Sequence, residues 1–282
     1  MREEVQDILG KEIKCLDKGF IRLIDVMGDD SSIVQAARVS YGKGTKSVRE
    51  DRGLIRYLMR HRHTSPFEMV ELKFHVKLPM FVARQWIRHR TANVNEYSGR
   101  YSIMKEEFYL PEANQIRHQS TMNKQGRSDE TLPEDESAAI REKMDKTQKE
   151  LYNEYHNLLE ADLTRELSRI NMPLSTYTEW YWKIDLHNLF HFLSLRMDEH
   201  AQYEIRVYAN QIAEILKTAV PLSWEAFEDY RLKSVYFSRA ELQYLKDIFE
   251  KIDYNENKLN EHGISKMEAR ELKSKIDFIK SL

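Results

Sequence analysis

The sequence predicts an α+β fold in which a small antiparallel sheet is surrounded by packed helices. Apolar and polar residues alternate from Val70 to Leu78, as on a strand with one buried face. Apolar residues recur at helical spacing in the second half of the chain, for example from Leu151 to Leu159. No Gly-x-Gly-x-x-Gly motif follows a strand, which argues against a parallel dinucleotide-binding sheet.

The amino-terminal third is predicted to contain two strands and two helices. Residues 12–27 form two short strands around the turn Asp17-Lys18-Gly19. Ser31-Ser32 caps a short helix, which ends in the region of Gly42 and Gly44. The pattern Ser47-Val-Arg-Glu50 is a capping box and opens a second helix.

The next elements lead to a basic segment. Ser65-Pro66 starts a helical turn, because proline suits the first helical position. The alternating strand follows over 70–78, and Pro79 opens a helix that ends in the run Arg88-His89-Arg90. The polar stretch at 112–137 is predicted to be a solvated loop inserted in the domain.

The remaining chain is predicted to be mainly helical. One helix runs from about 137 to 170, and the aromatic-rich segment Tyr177–Trp182 favours a strand. Asp185 caps a helix that runs to about Arg196, and another helix spans about 202–218 before Pro221. A charged helical tail begins at about 235. We expect one domain over 1–282.

Composition excludes several classes of protein. The 282 residues include 44 Lys and Arg against 46 Asp and Glu, a net charge of −2, which argues against a dedicated nucleic-acid-binding protein. The single cysteine, Cys15, excludes an intramolecular disulfide, and its neighbours offer no base to activate it as a nucleophile. Without an apolar run of membrane length or a signal-peptide core, we expect no membrane partner and a cytoplasmic location.

The densest polar cluster spans residues 84–100. Placed on one helix, Arg84, Gln85 and Arg88 share a face, with His89 at its edge. The following segment, from Asn93 to Arg100, is polar and contains a glycine that permits close approach of a ligand to the backbone. Arginine binds phosphate through two donors, and the glutamine amide matches a pyrimidine edge. The cluster therefore predicts a nucleotide site, although a solvated basic helix end would show a similar composition.

Two histidine pairs could ligate a metal ion, but neither pair has the other residues that a metal site needs. His187 and His191 stand four residues apart, which is a zinc-ligand spacing, but Asn188 occupies the place of the general-base glutamate in the His-Glu-x-x-His motif. His61 and His63 have no acidic or cysteine partner at metal-ligand spacing. We therefore expect no bound metal, and a zinc hydrolase is kept as an alternative.

The chain resembles the flavin-dependent thymidylate synthases. The signature is Arg88-His89-Arg90, seven residues, then Ser98; it is preceded by Phe81-Val-Ala-Arg-Gln85-Trp86 and completed by Asn95-Glu96-Tyr97-Ser98-Gly99-Arg100-Tyr101. The segments 63–68 and 195–204 resemble two further blocks of the family, in the same order, so that the resemblance covers about residues 13–230.

The resemblance implies a reaction and an assembly. Members of this family methylate dUMP at C5 to give dTMP. Methylenetetrahydrofolate supplies the carbon and FAD, reduced by NADPH, supplies the hydride. They are homotetramers whose active sites combine residues of more than one subunit.

The resemblance also assigns roles to individual residues. Arg196 would be catalytic, lying against the uracil and stabilising negative charge on the ring. The other dUMP-binding positions would be Gln85, Trp86, Ile87, Arg88, Glu96, Tyr97, Ser98, Gly99, Arg100 and Arg169. FAD would contact Ser65, Arg88, His89, Arg90, Glu96, Asp185, Leu186, His187 and His191, and His63 would lie near the flavin and folate rings.

The chain departs from the family pattern at the flavin-binding turn. Asp185 and His187 stand where many members carry Asn and Arg, and some members have Asn at the position of His191. The competing interpretation is a non-enzymatic nucleic-acid-binding module that uses Arg84, Arg88, Arg90 and Arg100, and the near-neutral net charge counts against it.

Overall fold

A five-stranded antiparallel sheet lies at the centre of the fold. The computed structural model describes residues 3–39, 48–122, 124–251, 254, 259 and 261–282. The strands of this sheet, in the order β1-β2-β3-β7-β4, are β1 (Glu12–Cys15), β2 (Gly19–Met27), β3 (Glu71–Pro79), β7 (Tyr177–Asp185) and β4 (Asn93–Glu96). The predicted small antiparallel sheet is confirmed, and β3 and β7 pair over their full length, from Glu71 opposite Asp185 to Pro79 opposite Tyr177.

Helices surround the sheet, as predicted. They are α1 (Glu3–Ile8), α2 (Asp30–Arg38), α3 (Val48–Arg60), α4 (Met80–Trp86), α5 (Glu134–Glu160), α6 (Arg165–Ser168), α7 (Leu186–Arg196), α8 (Tyr203–Ala219) and α9 (Pro221–Phe227). Short 3₁₀ turns occupy Ser65–Met69, Ala113–Gln115 and Arg169–Asn171. None of the described helices is long and apolar enough to cross a membrane.

The chain divides into two compact units, Met1–Leu232 and Lys233–Leu282. The second unit contains the helices Arg239–Glu250 and Lys266–Ser281, which contact each other. Each of these helices begins with a capping box, formed by Ser238 with Glu241 and by Ser265 with Glu268. Their sequences therefore specify where these two helices start.

The core of the first unit lies between the sheet and α4, α7 and α8. Trp86 of α4 is fully buried, and its ring lies 5.1 Å from that of Trp182 on β7 and 4.8 Å from that of Phe192 on α7. Gly19 opens β2 where a side chain has no room, because a Cβ there would lie 2.1 Å from the Tyr208 hydroxyl. That hydroxyl donates to the backbone oxygen of Lys77 on β3 at 2.7 Å, and this hydrogen bond joins helix α8 to the sheet.

Several predicted elements are corrected by the structure. The N-cap of helix α2 is Asp29 and not a serine, because its carboxylate accepts from the backbone N–H groups of Ser31 and Ser32. Ser32 completes the capping box, since its hydroxyl accepts from the Asp29 backbone N–H at 3.2 Å. The long helix predicted to reach 170 ends at Glu160, followed by Asp162 with a φ of 62°, a left-handed conformation that a helix cannot continue through. Helix α8 ends at Ala219, before Pro221 as predicted, and Pro221 itself starts helix α9.

The stretch at 112–137 is not simply a loop. It contains a two-stranded hairpin, β5 (Arg117–Gln119) and β6 (Arg127–Thr131), and the start of α5. Its strands are polar and mostly exposed, so they lack the apolar alternation by which a strand is recognised in a sequence. The predicted stop at Gly42 and Gly44 and the Ser47 end of the predicted capping box lie outside the described residues.

Candidate functional site

The basic run after α4 lines a cleft against helix α7. Helix α4 ends at Trp86, and the backbone N–H groups of Arg88 and His89 bond three residues back, to Gln85 and Trp86. This tighter turn corrects the prediction that Arg88 and His89 continue one helix face, because i to i−3 bonding changes the direction of successive side chains. The cleft has a volume of about 370 Å³ and is lined by Arg88, His89, Arg90, Thr91, Ile184, Asn188, His191, Leu195 and Arg196.

Within this cleft, Arg196 and His89 form a defined pair. The Arg196 Nε donates to the His89 Nε2 at 3.0 Å, which requires that this ring nitrogen carries no proton. Burial, the Arg196 charge and His191 together lower the pKa of His89 from 6.5 to about 4. The imidazole is therefore neutral at pH 7 and holds the guanidinium in place as an acceptor.

His191 also lines a second, smaller cleft. This cleft has a volume of about 130 Å³ and is lined by Leu58, Met59, Arg62, His63, Thr64, Phe67, His187, Phe190, His191, Ser194, Phe227 and Arg231. The two clefts adjoin at His191, on the side of α7 that carries His187 one turn earlier. The structure thus brings His63, His187 and His191 together around one opening.

The turn before α7 has a structural role that the sequence predicted. Asp185 caps the helix: its carboxylate accepts from the Asn188 backbone N–H at 2.9 Å and from the Asn188 side-chain amide at 2.7 Å. Leu186 is fully buried in the core, so only its backbone is available to a ligand. Ser65 is exposed at the start of the Ser65–Met69 turn.

Gln85, a predicted nucleotide-binding residue, lies half-buried on helix α4. Its amide nitrogen donates to the Gln202 side-chain oxygen, at the amino-terminal end of α8. Ile87 is exposed, whereas the Trp86 side chain is enclosed by the core. A nucleotide at this position could therefore contact only the backbone of Trp86, and not its side chain.

The segment after the cleft forms an edge strand and not a loop. Residues Asn93–Glu96 pair with β7, and all four are exposed. Because this strand has no buried face, its sequence does not alternate between apolar and polar residues, and it cannot be recognised from that pattern. The Glu96 carboxylate accepts from the Thr178 hydroxyl at 2.7 Å, and the Tyr97 hydroxyl donates to the Ile103 backbone oxygen at 2.7 Å.

The turn that follows holds Gly99 against Arg169. Gly99 is buried, and a Cβ there would lie 2.7 Å from the Met104 sulfur and 3.2 Å from the Arg169 Cδ. The Ser98 hydroxyl accepts from the Arg100 backbone N–H at 3.2 Å. The Arg100 side chain is mostly exposed and pairs with Glu166 at 3.0 Å. Ser98, Gly99, Arg100 and Arg169 therefore form a second cluster, held by α6 and the Arg169–Asn171 turn.

Some residues of the site were not predicted. Thr91, Asn188 and Leu195 line the larger cleft. Asn188 stands three residues before His191 on α7, so helical spacing from the histidine could have identified it. Among the described residues, no group of three or more His, Cys, Asp or Glu side chains is arranged to hold a metal ion.

The larger cleft gathers three arginines and two histidines against helix α7, and such a set of donors suits an anionic ligand. Residues 22–222 match the family described as thymidylate synthase complementing protein. A flavin-dependent thymidylate synthase of Treponema denticola is 60% identical over 240 residues, which are 85% of this chain and 90% of the relative. One of Ehrlichia ruminantium, strain Gardel, is 54% identical over 269 residues, 95% of this chain and 89% of the relative.

A solved structure is also similar. The UMP/dUMP methylase PolB from Streptomyces cacaoi, bound with 5-Br dUMP, superposes with a TM-score of 0.71 and 32% identity over 79% of this chain and 100% of the other. The chain belongs to the flavin-dependent thymidylate synthase family, and it is an enzyme.

Proposed function

We propose that this enzyme converts dUMP to dTMP, with methylenetetrahydrofolate as carbon donor and NADPH as the source of reducing equivalents. In this reaction the C5 hydrogen of the uracil leaves as a proton, and the transferred methylene carbon gains a hydride to become methyl. The observation that carries the proposal is the convergence of Arg88, His89, Arg90 and Arg196 on one cleft, in a chain of this family.

Arg196 is the group that stabilises charge on the ring. Attack from C5 on the carbon donor requires electron density at C5, and a fixed guanidinium beside the uracil favours the ring form that carries it. The hydrogen bond to His89 leaves the terminal nitrogens of Arg196 for the substrate, since it uses Nε. Because His89 is neutral at pH 7, it adds no competing positive charge.

The second cluster suits the sugar and phosphate. Ser98 offers a hydroxyl, Gly99 offers its backbone beside Arg169, and Arg100 and Arg169 offer guanidinium donors for phosphate. Gln85 and Arg88 complete the nucleotide site on the α4 side, where Gln85 offers its amide to the pyrimidine. In a homotetramer, the Glu96–Arg100 segment would serve the cleft of a neighbouring subunit.

The donor set of the two clefts fits FAD. The pyrophosphate needs cations, which Arg88 and Arg90 supply, and the polar edge of the flavin ring needs donors and acceptors such as His89, His187 and His191. The helix α7 start also favours negative charge, although Asp185 already occupies its Asn188 backbone N–H. FAD, reduced by NADPH, supplies the hydride when bound. His63, on the smaller cleft, would lie near the flavin and folate rings.

The proposal is tested by spectroscopy followed by turnover. The purified protein should be yellow, with flavin absorption that NADPH removes without oxygen. Incubation with dUMP tritiated at C5, methylenetetrahydrofolate and NADPH should release tritium to water and form dTMP. Omission of each component is the control. A flavin-loaded protein that neither binds dUMP nor forms dTMP would refute the proposal, and size-exclusion chromatography with flavin detection tests the tetramer.

A further inference from the structure

Glu204 is a buried carboxylate that the proposed chemistry does not use. It lies in the first turn of α8 with 1% of its surface exposed. Three donors converge on it: the Tyr109 hydroxyl at 2.9 Å, the Arg127 guanidinium, and the Gln202 side-chain amide at 2.9 Å. Burial of an ionised carboxylate is costly unless it is paired and hydrogen-bonded, and here both conditions are met.

The Glu204 carboxylate fixes the orientation of two side-chain amides, those of Gln202 and Gln85. The Glu204 carboxylate accepts from the Gln202 amide nitrogen at 2.9 Å, so the Gln202 amide presents its nitrogen to Glu204. The Gln202 oxygen then points the other way and accepts from the Gln85 nitrogen. The two orientations of a glutamine amide have nearly the same shape, so a polar partner is needed to choose between them. Glu204 makes that choice for Gln202, and through it for Gln85.

The cation of this network comes from the hairpin at 112–137. Arg127 lies on β6; besides Glu204 it donates to Gln115 at 3.2 Å, and its guanidinium lies 5.7 Å from the centre of the Tyr203 ring. Arg117, on the paired strand of the same hairpin, donates instead to the Asn114 backbone oxygen at 3.0 Å. The hairpin therefore brings one specific arginine to the buried carboxylate.

We propose that Glu204 and Arg127 are positioning residues for the nucleotide site: Glu204 orients Gln85 through Gln202, and Arg127 pairs with the carboxylate and holds it in place. This inference rests on the proposed function, in which Gln85 contacts dUMP. It also assigns a role to the inserted hairpin. The Gln85 amide is thereby presented with its nitrogen toward Gln202 and its oxygen turned away from the network, before any nucleotide binds.

The test measures dUMP binding by calorimetry on the flavin-loaded enzyme. Glu204→Gln keeps the shape but can donate as well as accept, so Gln202 is free to reverse. It should weaken dUMP binding by about tenfold or more and raise KM, with kcat at saturating dUMP within a few-fold of wild type. Arg127→Gln should act in the same direction. Arg117→Gln, the matched control on the same hairpin, should leave dUMP affinity unchanged.

A double-mutant cycle separates positioning from general destabilisation. If Glu204 acts through Gln85, Glu204→Gln should add nothing to the loss of dUMP affinity already caused by Gln85→Ala. Additive losses, or Glu204→Gln with wild-type affinity and a lowered melting temperature, would show that the network is merely structural and overturn the inference. Should Glu204→Gln fail to fold, the comparison of Arg127→Gln with Arg117→Gln decides. If wild-type enzyme binds no dUMP, the proposed function itself fails and this inference falls with it.

Discussion

Replacement of Arg196 by lysine should damage turnover far more than folding. The side chain is partly buried at the end of α7, where burial lowers its pKa, and its Nε donates to His89 at 3.0 Å. Lysine keeps the positive charge but has neither the Nε donor nor the planar pair of terminal nitrogens. The substitution therefore removes the hydrogen bond to His89 and the planar group that, in the proposed function, would face the uracil.

The magnitude follows from which of two roles Arg196 has. If it only complements the helix dipole, the retained charge preserves a contribution of about 0.3–1 kcal/mol and lysine changes almost nothing. If it stabilises charge that develops on the ring, loss of one aligned donor costs on the order of 3 kcal/mol, or about a hundredfold in rate. The two roles thus predict rates that differ by about two orders of magnitude.

The assay is dTMP formation by Arg196→Lys at saturating dUMP, with melting temperature and flavin content measured on the same preparation. Arg206→Lys is the matched control, because Arg206 lies on α8 and donates to the Glu199 backbone oxygen at 2.6 Å. We expect the control to turn over normally. Turnover of Arg196→Lys close to wild type, in folded and flavin-loaded protein, would refute the reasoning and leave Arg196 a helix-end charge.

Three further perturbations test other parts of the structure. Cys15→Ala should keep dTMP formation, because Cys15 is buried and burial raises the pKa of its thiol to about 12; lost turnover in folded protein would contradict this. As pH falls from 6.5 toward 4, ligand-free protein should lose stability, since unfolded His89 takes up its proton at the higher pH. His89→Asn should reduce that fall in melting temperature, and an equal fall in both proteins would count against the assignment. Gly99→Ala should weaken dUMP binding several-fold, because the added methyl group would displace Arg169. Gly53→Ala is the control, since a methyl group there meets open space and should leave dUMP affinity unchanged. Equal affinities of the two variants would show that Gly99 is not needed to make room for Arg169.

The sequence alone was sufficient for the sheet strands with a buried face. Strand β3 alternates apolar and polar residues, and β7 is rich in aromatic residues, so local pattern and burial agree. The Asp185 cap of α7 was also predictable, since a side chain that satisfies a helix start is local to it. The residue blocks around 63–68, 81–101 and 195–204 likewise sufficed to assign the family.

Other features depended on partners distant in sequence. Strand β4 exists because β7 supplies its backbone hydrogen bonds, and polar exposed residues carry no local sign of that pairing. The sequence predicts a loop at 112–137, where the structure has a hairpin, for the same reason. The docking of this hairpin depends on Glu204, which is 77 residues from Arg127 along the chain.

The site shows the same division. The sequence by itself identified which chemical groups the enzyme has: the arginines and histidines of the run 88–90, and His191 and Arg196 on one helix. Only the tertiary structure decided that Arg196 bonds to His89, 107 residues away, and that burial keeps this imidazole neutral. Residue type is a local property, whereas desolvation and hydrogen-bond partners are set by packing, so protonation and orientation could not be inferred from sequence.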